Sequence, residues 1–190
     1  MSPVELTLAV LFLLLTPGPT NSLMLLAGAE RGWTDALRLI PAELSGYLLT
    51  VLPLALTGTT VLADHHALRT AVTLAAGAWV AVLAVKLWQV PGAARGDMSV
   101  GSYALFVTTA LNPKALIFGL VLLPSPDRLA VNLAVFAGLV VAVAALWAGL
   151  GAALRAGGTG QPRAIPVLRR LASVWLAAIS VVLIARGIGA

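Results

Sequence analysis

Cysteine is absent from this chain of 190 residues, which excludes a disulfide framework, a thiolate metal site and thiol redox chemistry. Charge is also scarce. Asp, Glu, Lys and Arg make up 10% of the residues, whereas they make up about 25% of an ordinary soluble domain. Instead, 60% of the residues are hydrophobic and the mean hydropathy is +1.00. This composition predicts an all-α integral membrane protein and argues against a soluble enzyme.

The net charge of +5 does not indicate a nucleic-acid partner. The basic residues are scattered among apolar stretches and form no patch with interleaved aromatic residues. We therefore interpret them as signals of membrane topology and predict that the chain binds no nucleic acid.

Six apolar stretches reach or approach the ~20 residues that a membrane-spanning helix requires. They cover residues 4–27, 38–62, 69–90, 102–123, 129–154 and 167–187. Short connectors hold most of the charge and leave no room for a soluble domain. We therefore predict one transmembrane domain over residues 1–190, in contact with the lipid bilayer.

Lys and Arg are distributed unequally between the two sides of these six spans. The first, third and fifth connectors carry eight, which are Arg31, Arg38, Lys86, Arg95, Arg155, Arg163, Arg169 and Arg170, and the other side carries Arg69, Arg128 and Arg186. Because basic residues accumulate in cytoplasmic loops, we predict that both termini are periplasmic. The first stretch could instead be a signal peptide cleaved near Ala27-Gly28-Ala29. Its acidic start at Glu5 and its internal prolines disfavour that alternative.

Helix-breaking residues interrupt the first and fourth spans, about a dozen residues after each begins. The breaks are Thr16-Pro17-Gly18-Pro19-Thr20-Asn21 and Leu111-Asn112-Pro113-Lys114. Proline removes a backbone donor, and in hydrocarbon the freed groups need partners from protein or a hydrated cavity. We predict that Asn112 caps a half-helix beginning at Pro113, and that Thr16 and Pro17 repeat this arrangement.

The two breaks occupy corresponding places in two halves of the chain, approximately residues 1–95 and 96–190. Three spans in each half place the halves in opposite orientation, which makes them inverted repeats. Paired interruptions of this kind indicate the substrate site of a secondary transporter. The alternative is two ordinary proline kinks, since proline is common in membrane helices.

Two ionisable residues fall inside the predicted spans. Lys114 lies about 12 residues into its span, or ~18 Å at the helical rise, in the first turn of a half-helix where the dipole disfavours a cation. Glu43 shares one helical face with Tyr47, Thr50 and Thr57. Intramembrane ionisable residues are functional candidates. The alternatives are a structural pair of Glu43 with Lys114, or a Glu43 that is hydrated from the cytoplasm.

Two other features favour simpler explanations. His65 and His66 are adjacent, and adjacent histidines rarely present both rings to one ion, so we predict no metal site. In span five, Ala134, Gly138 and Ala142 recur every fourth residue. This stripe of small residues is typical of a helix-packing face.

The two breaks, together with the aromatic-rich end of span three from Trp79 to Trp88, resemble the LysE/RhtB family of amino-acid exporters. The similar segments run from Leu15 to Leu23 and from Phe106, through Asn112-Pro113-Lys114-Ala115, to Pro124. The resemblance covers nearly the whole chain. It implies a bacterial inner-membrane protein that exports amino acids or related small metabolites, driven by the proton gradient.

One departure from the family pattern concerns span two. Many members carry an acidic residue directly after a glycine there, whereas this chain has Gly46-Tyr47. Glu43 lies one helical turn earlier, on the same face. This position allows Glu43 to substitute for the family's acidic residue, and the sequence alone does not decide whether it does.

We therefore predict a proton-coupled secondary efflux transporter with no catalytic centre and no cofactor, and leave a homo-oligomer open. The candidate substrate-binding residues are Thr16, Pro17, Gly18, Pro19, Thr20, Asn21, Glu43, Tyr47, Asn112, Pro113 and Lys114. A divalent-cation exporter of the same superfamily is the alternative, weakened by the cationic midplane and the scarcity of carboxylates and imidazoles. A membrane enzyme is disfavoured because no nucleophile–base pair is visible in the spans. A channel is compatible with the composition, but paired broken helices favour alternating access.

Overall fold

Every secondary-structure element in the described parts of the chain is a helix, as the sequence predicts. A computed structural model describes residues 2–57, 66–88, 100–125, 127–157 and 164–188. The helices are α1 (Pro3–Leu15), α2 (Pro19–Arg31), α3 (Trp33–Leu37), α4 (Ile40–Thr57), α5 (His66–Trp88), α6 (Ser102–Ala110), α7 (Pro113–Ile117), a π-helical turn (Phe118–Leu122), α8 (Leu129–Gly157) and α9 (Ala164–Ile188).

Several of these helices are long and apolar enough to cross a membrane. Trp33–Leu56 and Leu129–Ala156 qualify alone, and two bent helix pairs raise the number to four if each pair is one span. The apolar parts of α5 and α9, Thr73–Lys86 and Arg170–Ala185, are shorter than the ~20 residues that cross a bilayer. The described helices therefore support two to four spans, and the six-span arrangement stays a prediction.

The outer surface of the bundle is apolar. Exposed large hydrophobic side chains include Phe12 on α1, Leu49 on α4, Val141 on α8 and Val181 on α9. Soluble monomers rarely expose contiguous apolar surface on this scale. The surface thus agrees with the composition in indicating a lipid-facing protein.

Both predicted helix breaks are present. The axes of α1 and α2 differ by 63°, and those of α6 and the helical segment Pro113–Leu122 differ by 46°. Asn112 is the N-cap of α7, with Pro113 at the first helical position. The predicted cap at the second break is therefore confirmed.

The predicted start of the half-helix at the first break is wrong. Thr16 ends α1, with its hydroxyl donating to Phe12 O at 2.8 Å, and α2 begins at Pro19 after the N-cap Gly18. A residue that precedes proline is forced away from the helical region. Thr16 precedes Pro17 and has ψ 126°, and Gly18 precedes Pro19 and has ψ 179°. Only the second proline is therefore followed by residues free to form a helix.

Helix packing pairs α2 with α8, α4 with α6, and α5 with α9. The α2–α8 contact is so close that a Cβ added at Gly151 would lie 1.9 Å from Leu25 O, and one added at Gly28 would lie 2.0 Å from Ala148 O. Small residues at these positions let the two backbones approach.

The small-residue stripe predicted on span five does not form this contact. Ala134, Gly138 and Ala142 are exposed, and a Cβ added at Gly138 would meet nothing within 4 Å. The face of α8 that carries Ala148 and Gly151 packs against α2 instead, because Gly28 opposes it. Within the described part of the chain, this stripe therefore lies on the outer surface of the bundle, and its packing role stays a prediction.

The two ends of the bundle differ. At one end, the start of α1, the residues after the π-helical turn and the start of α8 surround a cavity of about 220 Å³, whose polar lining residues are Ser2, Ser125, Arg128 and Asn132. At the other end, Arg31 Nη2 donates to Val100 O at 2.6 Å and Arg155 Nη1 donates to Glu30 O at 3.1 Å. The Arg155 contact joins the C-terminal ends of α8 and α2. The Arg31 contact joins the end of α2 to Val100, two residues before α6 begins.

Candidate functional site

The two broken helices meet at a buried polar cluster. Asn112 Nδ2, at the second break, donates to Thr20 Oγ1 at 3.0 Å, in the first turn after the first break. The same amide nitrogen lies 3.5 Å from the Tyr47 hydroxyl on α4. Thr20, Tyr47 and Asn112 are all buried. The two breaks, which occupy corresponding places in the two halves of the chain, are therefore in direct contact.

Asn112 serves both as a helix cap and as a bridge between the breaks. Its Oδ1 accepts a hydrogen bond from the backbone amide of Lys114 at 3.0 Å, which pairs a donor that the first turn of α7 leaves unsatisfied. Its Nδ2 is consequently directed at Thr20. One side chain thus fixes the start of α7 relative to the start of α2.

The backbone carbonyls freed by the first break are paired by Asn21. Because α1 ends at Leu15 and the chain turns before α2 begins at Pro19, the last carbonyls of α1 have no partners within the helix. Asn21 Nδ2 donates to Leu14 O at 2.8 Å and to Thr16 O at 3.0 Å. Both amide hydrogens of Asn21 are thereby committed to the backbone, which makes Asn21 primarily a structural member of the site.

The second break is paired in the same manner by another helix. Thr50 Oγ1, on α4, donates to Ala110 O at 2.8 Å. A carbonyl without a partner would be costly inside a membrane. The broken segments are therefore stabilised by side chains around them, as expected of breaks enclosed by protein.

Lys114 connects the second break directly to the first. Its ammonium donates to Thr16 O, at the C-terminal end of α1. A Cβ added at Gly18 would lie 3.3 Å from Lys114 Nζ, so a side chain at Gly18 would crowd this ammonium. The side chain of Lys114 is only partly buried, and Thr16 O accounts for one of the three hydrogens that an ammonium can donate.

This contact revises the electrostatic prediction for Lys114. The residue does lie in the first turn of α7, where the helix dipole disfavours a cation. The ammonium, however, reaches the C-terminal end of α1, whose carbonyls favour one. Its charge is therefore partly compensated within the protein, and a bound anion is not required to hold it there.

Glu43 is buried and forms no ion pair among the residues that the structure describes. It is 2% exposed, and its Oε2 has no hydrogen-bond partner among the described residues. Within the same part of the chain it forms no ion pair with Lys114, whereas Arg38 and Asp35 pair at 3.2 Å on the surface. Neither alternative from the sequence, a direct Glu43–Lys114 pair or hydration from the cytoplasm, matches this position.

The polar face predicted on span two points into the bundle. Glu43 and Tyr47 are buried, and Thr50 pairs with Ala110 O. The side chain of Thr57 lies outside the described residues. The Tyr47 ring packs edge-on against Phe118 and Phe136, with centroid separations of 5.8 and 5.6 Å.

Gly46 explains how closely this face approaches the second break. A Cβ added at Gly46 would lie 2.7 Å from Phe106 O and 2.9 Å from Thr109 Cβ. The glycine lets α4 pack directly on the backbone of α6 and so directs Tyr47 at Asn112. In this chain the glycine of span two is thus a contact point for α6, and the acidic residue lies one turn before it.

The structure brings most of the predicted site residues together. Gly18, Pro19, Thr20, Asn21, Glu43, Tyr47 and Asn112 are buried, Pro113 and Lys114 are partly exposed, and Thr16 and Pro17 are exposed. Sequence reasoning missed Thr109, whose fully buried Oγ1 lies 3.5 Å from Thr20 Oγ1. Its signal was available, since Thr109 stands three residues before Asn112, about one helical turn, within the same predicted span.

The metal prediction is tested only in part. Among the described residues, no group of three or more His, Asp or Glu side chains could hold a metal ion. His65 and the side chain of His66 lie outside the described residues. Arg95 and Arg163, two of the basic residues used to predict the topology, also lie outside them. The absence of a metal site and the orientation of the termini stay predictions.

No family model matches the chain, and neither a curated protein nor a solved structure is found to be similar to it.

Proposed function

We propose that the chain is a secondary active efflux transporter of the LysE/RhtB type, which exports an amino acid or a related small metabolite across the bacterial inner membrane in exchange for protons. It crosses the membrane six times, as two inverted three-helix repeats. The observation that carries the proposal is the contact between two broken helices at Asn112, Thr20 and the partly exposed Lys114.

The helix contacts support the inverted repeat. With α1–α2 as the first span and α6–α7 as the fourth, span one packs on span five, span two on span four, and span three on span six. If spans one, two and three are exchanged for spans four, five and six, the pair of spans one and five becomes the pair of spans four and two. The pair of spans three and six stays the same. An inverted repeat has this exchange symmetry, with its substrate site where the broken helices meet.

The difference between the two ends supports alternating access. The cavity beside Arg128 and Asn132 lies at the end where the chain starts, which is the periplasmic end in the predicted topology. Arg31 and Arg155 fasten the opposite, cytoplasmic end through backbone carbonyls. This arrangement fits a transporter that is closed on one side while it opens on the other.

Lys114 favours an anionic or zwitterionic substrate. Its partly exposed ammonium keeps donors beyond the contact with Thr16 O, and a carboxylate is their natural acceptor. The same ammonium occupies the carbonyl end of α1, where discontinuous transporter helices otherwise bind a cation. A divalent-cation exporter is disfavoured for that reason.

An export assay with matched lysine variants tests the proposal. The chain has two lysines, and Lys86 lies exposed at the end of α5. Cells expressing wild type, Lys114→Met or Lys86→Met would be loaded with a panel of amino acids, amino-acid analogues and divalent metals. We expect wild type and Lys86→Met to export an amino acid or analogue, and Lys114→Met to lose that export at equal membrane abundance.

Two results would contradict the proposal. Export of a metal and of no organic solute would favour the divalent-cation alternative. Undiminished amino-acid export by Lys114→Met would remove Lys114 from the substrate site.

A further inference from the structure

Glu43 is an ionisable side chain that is buried in surroundings unfavourable to a charge. It lies on α4, one turn before Tyr47, and is 2% exposed. Its Oε2 is buried and has no hydrogen-bond partner among the described residues. Buried polar atoms are normally paired, so this oxygen requires a ligand or a protonation state that explains it.

Among the described residues, one charged group acts on Glu43. This is Lys114 on α7, and the other titratable neighbour is Tyr47 on α4 itself. The groups of α6 that pack against α4 and Thr20 are neutral, namely Thr109 and the backbone around it. Lys114 donates to Thr16 O and forms no ion pair with Glu43 within the described residues. An ionised Glu43 would therefore be a buried charge without a partner.

An unpaired buried carboxylate is strongly disfavoured, and such a group becomes neutral instead. We propose that Glu43 is the site that carries the exchanged proton, and that it holds this proton in the conformation seen here. The inference rests on the proposed function, since it identifies the residue behind the proton exchange of that transporter.

The release step involves only this chain and water. The O–H bond of the Glu43 carboxylic acid breaks, its electron pair stays on the carboxylate, and the proton passes to a water molecule once a conformational change admits one. The new carboxylate needs a cation, which is the Lys114 ammonium after it leaves Thr16 O or the ammonium group of a zwitterionic substrate. Protonation from the other side reverses these changes.

The hydrogen bonds at the breaks explain how proton and substrate are linked. The Tyr47 hydroxyl, one turn after Glu43, lies 3.5 Å from Asn112 Nδ2, and Asn112 Oδ1 caps Lys114. A rotation of α7 that moves Lys114 therefore changes the surroundings of Glu43 as well. The structure corresponds to a proton-loaded state that is closed at the end where Arg31 and Arg155 bind backbone carbonyls.

Infrared spectroscopy tests the proton directly, because the chain has only seven Asp and Glu residues. Purified full-length protein in lipid would be measured at neutral pH and during alkaline titration, as wild type, Glu43→Gln and the control Glu5→Gln. Glu5 is exposed and its carboxylate accepts the Ser2 amide at 2.9 Å. We expect a carbonyl band of a protonated carboxylic acid in wild type and Glu5→Gln, and its loss in Glu43→Gln.

A transport measurement tests the coupling separately. Proteoliposomes carrying the same three proteins would be given a pH gradient and the amino acid that wild type exports from cells. We expect the gradient to drive uptake against concentration in wild type and Glu5→Gln, and this accumulation to fall at least tenfold in Glu43→Gln. Because glutamine has the shape of the neutral acid, Glu43→Gln should insert as well as wild type, and Glu43→Asp is the second variant if it does not.

Each outcome has a defined meaning. A spectrum without the acid band, or a band that remains in Glu43→Gln, overturns the proton assignment. Loss of the band with unchanged gradient-driven accumulation in Glu43→Gln overturns the coupling role. If wild type transports nothing while the band depends on Glu43, the proposed function fails and the proton assignment stands.

Discussion

Gly151→Ala is expected to destabilise the protein, because α2 and α8 leave no room for a side chain at this position. A Cβ there would lie 1.9 Å from Leu25 O, 2.9 Å from Leu25 C and 2.9 Å from Ala29 N. These are backbone atoms, so no rotamer change can make room. Contact at an ordinary 3.4 Å or more requires α2 and α8 to separate by more than an ångström.

The magnitude follows from what that separation disrupts. Overpacking a close-packed interface typically costs 1–3 kcal/mol, and the overlap with rigid backbone places this substitution at about 3 kcal/mol. Gly138→Ala is the matched control on the same helix, since its Cβ would meet nothing within 4 Å. Alanine is a better helix former than glycine by about 1 kcal/mol, so the control should be neutral or mildly stabilising.

Reversible unfolding of the purified protein in mixed micelles measures both variants. We expect the free energy of unfolding to fall by about 3 kcal/mol for Gly151→Ala and to stay within about 1 kcal/mol of wild type for Gly138→Ala. Equal stability of the two variants would show that α2 and α8 do not approach as described. The position of α2, and with it the first break, would then be wrong.

Three further predictions concern the breaks and the topology. Asn112→Ala should lower the free energy of unfolding by about 1–2 kcal/mol, because it removes a helix cap and the hydrogen bond to Thr20. Asn112→Asp should keep the cap and lose less. Equal losses in the two variants, measured by the same unfolding assay, would refute the capping role. Since Glu43 and Lys114 do not pair, the double variant Lys114→Ala with Glu43→Ala should not recover export, and recovery of both abundance and export would establish a structural pair. A reporter that is active only in the periplasm should be active when fused after Ala190, and activity of a cytoplasmic reporter there would contradict the charge-based topology.

The local consequences of proline and asparagine could be predicted from the sequence. Proline removes a donor and restricts the preceding residue, so both breaks and the Asn112 cap follow from residues within one turn. The inward face of α4 follows equally from the helical period at Glu43, Tyr47 and Thr50. These predictions needed no knowledge of what packs where.

Other features depend on contacts between distant parts of the chain. The carbonyl that holds the Lys114 ammonium belongs to Thr16, 98 residues earlier, and the dipole of α7 alone predicts an uncompensated charge. The α8 face that meets α2 depends on Gly28 opposite Ala148, a contact that the regular stripe at Ala134, Gly138 and Ala142 does not indicate. At the first break, two prolines offered two helix starts, and only the backbone conformations of Thr16 and Gly18 distinguish them.

Substrate protection of a cysteine at the first break tests the central claim most directly. The chain has no cysteine, so Thr16→Cys and the control Thr34→Cys, both at exposed positions, each provide a single reactive thiol without further engineering. A membrane-permeant maleimide would be applied with and without a saturating concentration of the exported compound. If the substrate binds where the broken helices meet, it should slow alkylation of Thr16→Cys several-fold and leave Thr34→Cys unchanged. Equal alkylation rates of Thr16→Cys with and without the compound would contradict a substrate site at the breaks.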